Sequence, residues 1–121
     1  MFRTMIQACA LVAVAVLPLG GCRDEAPRRE APPGAVSQQQ VRRGEELFKR
    51  YCAACHPDGG NVSDPERTLR GDVLRSRRIA RPQDIVRIMR TPLSRMIAFD
   101  PATIPDEDAR AIAEYVLYAF R

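Results

Sequence analysis

Apolar and polar residues divide the chain into three zones. Met5 to Leu19 is apolar and carries no charge, and it follows a single basic residue, Arg3. That stretch falls short of the ~20 residues a spanning helix needs and predicts a cleavable export signal over 1–21. In the second zone, over 22–36, large apolar residues almost vanish, and Pro27, Pro32 and Pro33 sit among mixed charges. This pattern predicts a tether; the fourteen residues from Arg23 to Val36 would span about 20 Å as a flexible coil. From 37 to 121 apolar residues recur at helical spacing, and no alternating run argues for a sheet.

Three helices are predicted in this last zone. The first opens on a capping box of Ser37 and Gln40 and sets Val41, Gly44, Phe48 and Tyr51 on one face. Gly44 costs helix propensity, about 1 kcal/mol against alanine, so a close helix–helix approach is its expected reason. The second opens at Pro82, as a first-turn proline, and is stopped near Thr91 by Pro92. The third opens at Pro105, and its acids Asp106, Glu107 and Asp108 suit a helix N-terminus. Its expected inner stripe is Ala109, Ile112, Ala113, Val116 and Phe120, with Tyr115 beside it. The fold class is all-α, one small domain of 85 residues without internal repeats.

Composition sharpens this picture. There is no tryptophan, with four phenylalanines and three tyrosines, so the domain's own core is modest and a staple or a bound group is expected. The strongest chemical signal is Cys52-Ala53-Ala54-Cys55-His56. C-x-x-C-H is the attachment pattern of a c-type haem. Two thiols one helical turn apart can each add to a porphyrin vinyl group, and the next residue presents an imidazole to the iron. A zinc site would need a second pair of ligands, and the chain has one histidine and no second C-x-x-C. A thioredoxin-like motif would want a βαβ setting, which the pattern lacks.

Leu19-Gly20-Gly21-Cys22 resembles a bacterial lipobox, which implies cleavage before Cys22 and lipidation of it. An ordinary signal peptide, or an uncleaved anchor, is the alternative. On the lipoprotein reading every thiol has a separate fate: Cys9 leaves with the signal, Cys22 carries lipid, and Cys52 and Cys55 carry haem. None remains for a disulfide scaffold.

Gly44 and Phe48 on the first helix, CAACH after it, Gly59 to Leu69 as the following loop, Arg95-Met96-Ile97-Ala98-Phe99, and a last helix with Ala111 to Leu117 together resemble a class I cytochrome c. The small bacterial and c6-like members are the most similar, and the resemblance spans the whole 37–121 region. It implies three to five helices packed around one covalent haem c. Cys52 and Cys55 would form the thioethers, His56 the proximal ligand and Met96 the distal one. It also implies a backbone carbonyl that orients the imidazole, with Pro65 the candidate, and a crossing of the first and last helices at Gly44, Phe48 and Tyr115.

Elimination supports the distal assignment. A single histidine excludes two-histidine ligation within one chain, and Met1 and Met5 lie in the signal. Met89 shares a helix face with Ile85 and reads as core filler, whereas Met96 sits in the loop between Pro92 and Pro101. The other reading of Met96 is a loop methionine beside an open iron.

A histidine–methionine iron with both axial positions filled has no place for substrate. It suits a one-electron carrier and not an enzyme. A gas-binding sensor with a displaceable Met96, and a dedicated electron-transfer subunit of an oxidoreductase, are the alternatives. The net charge is +4, and nine arginines crowd residues 67–95. They could pair with haem propionates or steer an acidic redox protein, or simply form a solvated face. The expected setting is a lipid-anchored, monomeric head in the periplasm or other extracytoplasmic space, without nucleic acid as a partner.

Overall fold

The computed structural model describes residues 36–121. The predicted signal, the lipobox Cys22 and nearly all of the tether lie outside the described residues. Four α-helices follow in order: α1 Gln38–Tyr51, α2 Gly71–Ser76, α3 Pro82–Arg90 and α4 Asp106–Ala119. A short 3-10 turn, Pro57–Gly59, follows α1. Among the described residues there is no strand, and no helix is long and apolar enough to cross a membrane.

The Ser37 side chain accepts from the Gln40 N–H at 3.1 Å and so caps α1. α3 starts with Pro82 in its first turn, and the Asp84 carboxylate caps it by accepting from the Arg81 N–H at 3.1 Å. Arg81 and Arg87 both donate to the other oxygen of this buried carboxylate at 3.1 Å. The bond from the Arg81 side chain, assisted by backbone N–H groups, holds Asp84 well below the usual carboxylate range.

α1 and α4 form the most extensive helix pair, and α3 packs on α4 beside it. Gly44 sits at the crossing: a Cβ there would lie 2.7 Å from Tyr115 Cβ and closer still to the Ala111 carbonyl oxygen. The expected close approach is therefore real, and it explains why α1 carries a glycine at midlength. Phe48 lies 5.4 Å from Tyr115 and 5.5 Å from Phe120 between ring centroids, in tilted contacts. Arg43 pairs with Asp108 across the same interface. The predicted inner stripe of α4 is buried at Ala109, Ile112, Ala113 and Val116. Phe120 is half-buried just past the helix end, and Ala111 and Glu114, which the periodicity did not single out, are buried as well.

α2 was not anticipated. It is six residues long, buries only Leu74, and closes with Ile79 N–H bonding Leu74 O and Arg78 N–H bonding Arg75 O, both at 2.9 Å. This is the Schellman pattern, with Arg78 at φ 60° where glycine is usual. A left-handed non-glycine residue costs about 1–2 kcal/mol there.

Candidate functional site

The motif is built as the frayed end of α1. Cys52 and Ala53 N–H groups both bond Phe48 O, at 2.8 and 3.0 Å; Cys55 and His56 N–H groups both bond Cys52 O, at 3.1 and 2.8 Å. Cys52, Cys55 and His56 are thus held on consecutive turns. Cys52 rests half-buried on the apolar core while Cys55 is exposed, and both are free thiols. Burial, with a smaller push from Cys55, raises the Cys52 thiol to about 11.

His56 is half-buried, and its Nδ1 lies 2.8 Å from Gly60 O. A carbonyl can only accept, so Nδ1 carries the proton and Nε2 keeps its lone pair for a metal. The orienting carbonyl is therefore Gly60's and not Pro65's. The physical reason is a sharp reversal directly after the histidine. Asp58 at φ 50° and Gly59 at φ 77° turn the chain back so that Gly60 meets the ring, whereas Pro65 lies further along the loop in an exposed position. Gly59 is required for its space too, since a Cβ there would meet Phe120 Cδ1 at 2.6 Å.

The rest of this loop is stapled to the motif. Val62 N–H bonds Cys55 O at 3.0 Å and Leu69 N–H bonds Gly59 O at 2.7 Å. Asn61 ties its two ends together, accepting from the Ser63 and Asp64 N–H groups and donating to Arg67 O, all at 3.0 Å. Sequence reasoning missed Gly60 and Asn61; an asparagine with Ser63, Asp64 and Pro65 close behind it was the available signal.

The two methionines separate cleanly. Met89 is 2% exposed inside the core. Met96 lies in the loop between α3 and α4, half-buried against the same core that Cys52 and Ala53 border. Leu93 and Ile97, on either side of it, are 92% and 68% exposed.

The donor set fits a covalent haem c. It offers two unpaired thiols one turn apart, an imidazole whose tautomer is fixed by a carbonyl, and a half-buried thioether in a separate loop. Thr68 Oγ1, in the loop returning from His56, is buried with no hydrogen-bond partner among the described residues. An orphan hydroxyl costs about 1–3 kcal/mol, and a porphyrin carboxylate would satisfy it. Among the described residues no three His, Cys, Asp or Glu side chains converge as a metal cage.

The arginines of 67–95 divide by role. Arg67 pairs with Asp64, Arg81 and Arg87 with Asp84, and Arg90 with Asp106. Arg70, Arg75, Arg77, Arg78 and Arg95 are exposed without a carboxylate partner among the described residues, Arg77 reaching only the Glu66 backbone carbonyl at 3.4 Å.

Residues 39–116 match the family described as cytochrome c oxidase, cbb3-type, subunit III. The chain is 33% identical over 82 residues to cytochrome c6 of Cyanidium caldarium, covering 68% of this chain and 73% of that protein. Among solved structures it is similar to OmcF, an outer membrane cytochrome from Geobacter sulfurreducens. That match has 42% identity and a TM-score of 0.62, over 64% of this chain and 99% of the other. Cytochrome c6 from the diatom Phaeodactylum tricornutum matches at 34% identity and a TM-score of 0.60, over 64% of this chain and 91% of the other.

Proposed function

Because the chain belongs to the c6-like small monohaem class I cytochromes c, and so is an electron carrier with one covalent haem c, we propose that Cys52 and Cys55 form the thioethers and that His56 and Met96 are the axial ligands. The observation that carries this reading is the Gly60 carbonyl on His56 Nδ1, which leaves Nε2 as the only basic nitrogen of the ring. When bound, the haem supplies a single iron that alternates between ferric and ferrous.

The chain's own residues set the conditions for that exchange. The Gly60 bond fixes the imidazole plane and raises its basicity. The Met96 thioether is soft and neutral, which favours the ferrous state. With His56 and Met96 both holding the iron, no coordination position would remain for substrate, which is consistent with a carrier. Cys55 is exposed whereas Cys52 is half-buried, so partners would approach the haem edge from the Cys55 side.

The visible spectrum of the protein matured with haem tests the assignment. A low-spin spectrum with the weak far-red band of sulfur–ferric ligation is expected. A high-spin spectrum that responds to carbon monoxide when reduced would instead establish an open site and a sensor.

The head is proposed to be a monomer, tethered through lipid on Cys22 to a bacterial membrane with its haem domain on the extracytoplasmic side. Its redox partner is proposed to present an acidic surface to the unpaired arginines. The lipobox-like sequence supports the anchor, and the likeness to an outer membrane cytochrome supports a membrane setting. Cys22→Ala should yield a soluble cytochrome with an unchanged spectrum, whose electron exchange with the partner slows as ionic strength rises. Retention in the membrane fraction would instead mean an uncleaved anchor, and a salt-independent rate would remove the acidic partner. The family described as an oxidase subunit supports a second reading, a fixed subunit with the same chemistry, which co-purification with a larger oxidoreductase would decide.

A further inference from the structure

The loop that carries Met96 has little bonding of its own. The Met96 N–H reaches Ser94 Oγ at 3.4 Å, a long contact, and its neighbours Leu93 and Ile97 point to solvent. Its far limb is held firmly. Arg90, the last residue of α3, donates from Nη1 to Phe99 O at 2.9 Å. Its Nη2 donates to Ile104 O at 2.8 Å and to Asp106 Oδ1 at 2.7 Å.

These three acceptors lie on the return limb of the loop, at its junction with α4, and on the first turn of α4. Directly below, Phe99 N–H donates to Met89 O at 2.8 Å. The Phe99 ring meets Tyr51, the residue before Cys52, edge-on with centroids 6.4 Å apart. Phe99 and Ile104 are buried, and the Arg90 side chain is 18% exposed. One guanidinium thus closes the loop onto α3 and α4 three residues past Met96.

We propose that Arg90 is a positioning residue for the distal ligand: its bridge to the Phe99 and Ile104 carbonyls holds the 91–105 loop so that Met96 is presented to the iron. The proposal rests on the reading of Met96 as that ligand. The ion pair itself contributes little, because Asp106 is 82% exposed and such pairs are weak. The two carbonyl bonds carry the effect, since truncating Arg90 orphans both acceptors. A lysine offers a single ammonium without the planar fork and replaces them only in part.

The test uses haem-loaded wild type, Arg90→Met, Arg90→Lys, Asp106→Asn and Met96→Ala. Two signals are followed on heating, the far-red sulfur–ferric band and the far-ultraviolet helical signal, together with imidazole affinity of the ferric form at room temperature. In Arg90→Met the band is expected to vanish well before the helical signal, with imidazole bound about tenfold more tightly as the closed loop becomes a smaller fraction of the population. Arg90→Lys should be intermediate and Asp106→Asn close to wild type.

If band and helical signal fall together in both Arg90 variants with imidazole affinity unchanged, Arg90 only stabilises the fold and the proposal is overturned. Should Arg90→Met fail to mature, Arg90→Lys against Asp106→Asn decides by the same two readouts. A far-red band that survives in Met96→Ala would overturn the ligand assignment itself, and the Arg90 role with it.

Discussion

Met96→Ala is expected to leave haem covalently attached while abolishing the far-red band and opening the iron to carbon monoxide and imidazole. On the proposed assignment attachment rests with Cys52 and Cys55, and His56 keeps its own orienting bond to Gly60, so neither is touched by a change in the loop after α3. Losing a soft, neutral thioether removes the preference for ferrous iron. The reduction potential should fall by ~100 mV or more, within the ~0.8 V span that axial ligands control. Met89→Leu is the control. That side chain is buried in the core, and a volume-conserving swap there should cost less than about 1.5 kcal/mol without altering spectrum or potential. Spectroelectrochemical titration of both variants checks the pair, and the reverse pattern would reassign the distal ligand to Met89.

Gly44→Ala should be the most damaging single methyl in the domain. On an exposed helix face this substitution stabilises by about 1 kcal/mol. Here the added carbon would press on the Ala111 carbonyl oxygen, backbone that cannot rotate away, and lie 2.7 Å from Tyr115 Cβ. The helices would have to separate, loosening Phe48 from Tyr115 and Phe120. Overpacking of this kind costs about 3 kcal/mol or more at the upper end of its range, which for a domain of this size lowers the melting temperature by roughly 15 °C. Thermal melting followed by the helical signal measures it, and a melting temperature at or above wild type would mean that the crossing is looser than described.

The parts legible in the sequence are those whose causes are local. Ser37 and Pro82 announced α1 and α3 by end chemistry alone, and Gly44 announced a close approach because a glycine at midhelix is otherwise a cost. The haem motif could be read because its geometry spans a single helical turn. α2 gave no such signal: six residues that open on Gly71 and bury only Leu74 are too short to show a period. Gly60 was missed because its meeting with His56 depends on two successive left-handed residues, one of them Asp58, a residue type that does not demand that conformation. Arg90 looked like one arginine among nine. Its acceptors lie nine, fourteen and sixteen positions further on, a relation that no periodicity expresses.

The α1–α4 crossing also sets an order of events. Gly44 and Ala111 are some 67 positions apart, and lengthening a loop raises its closure cost only slowly, yet no contact forms before both partners exist. In a chain made from its N-terminus, the Cys52–His56 turn is complete some fifty residues before α4 begins at Asp106. Until then α1 lacks its main packing partner. The apolar floor beneath Cys52 also lacks Ala109, Ile112, Ala113 and Val116. During that interval Cys52 has no apolar floor to rest on, and α4, made well after it, is what half-buries that thiol while Cys55 stays open to solvent.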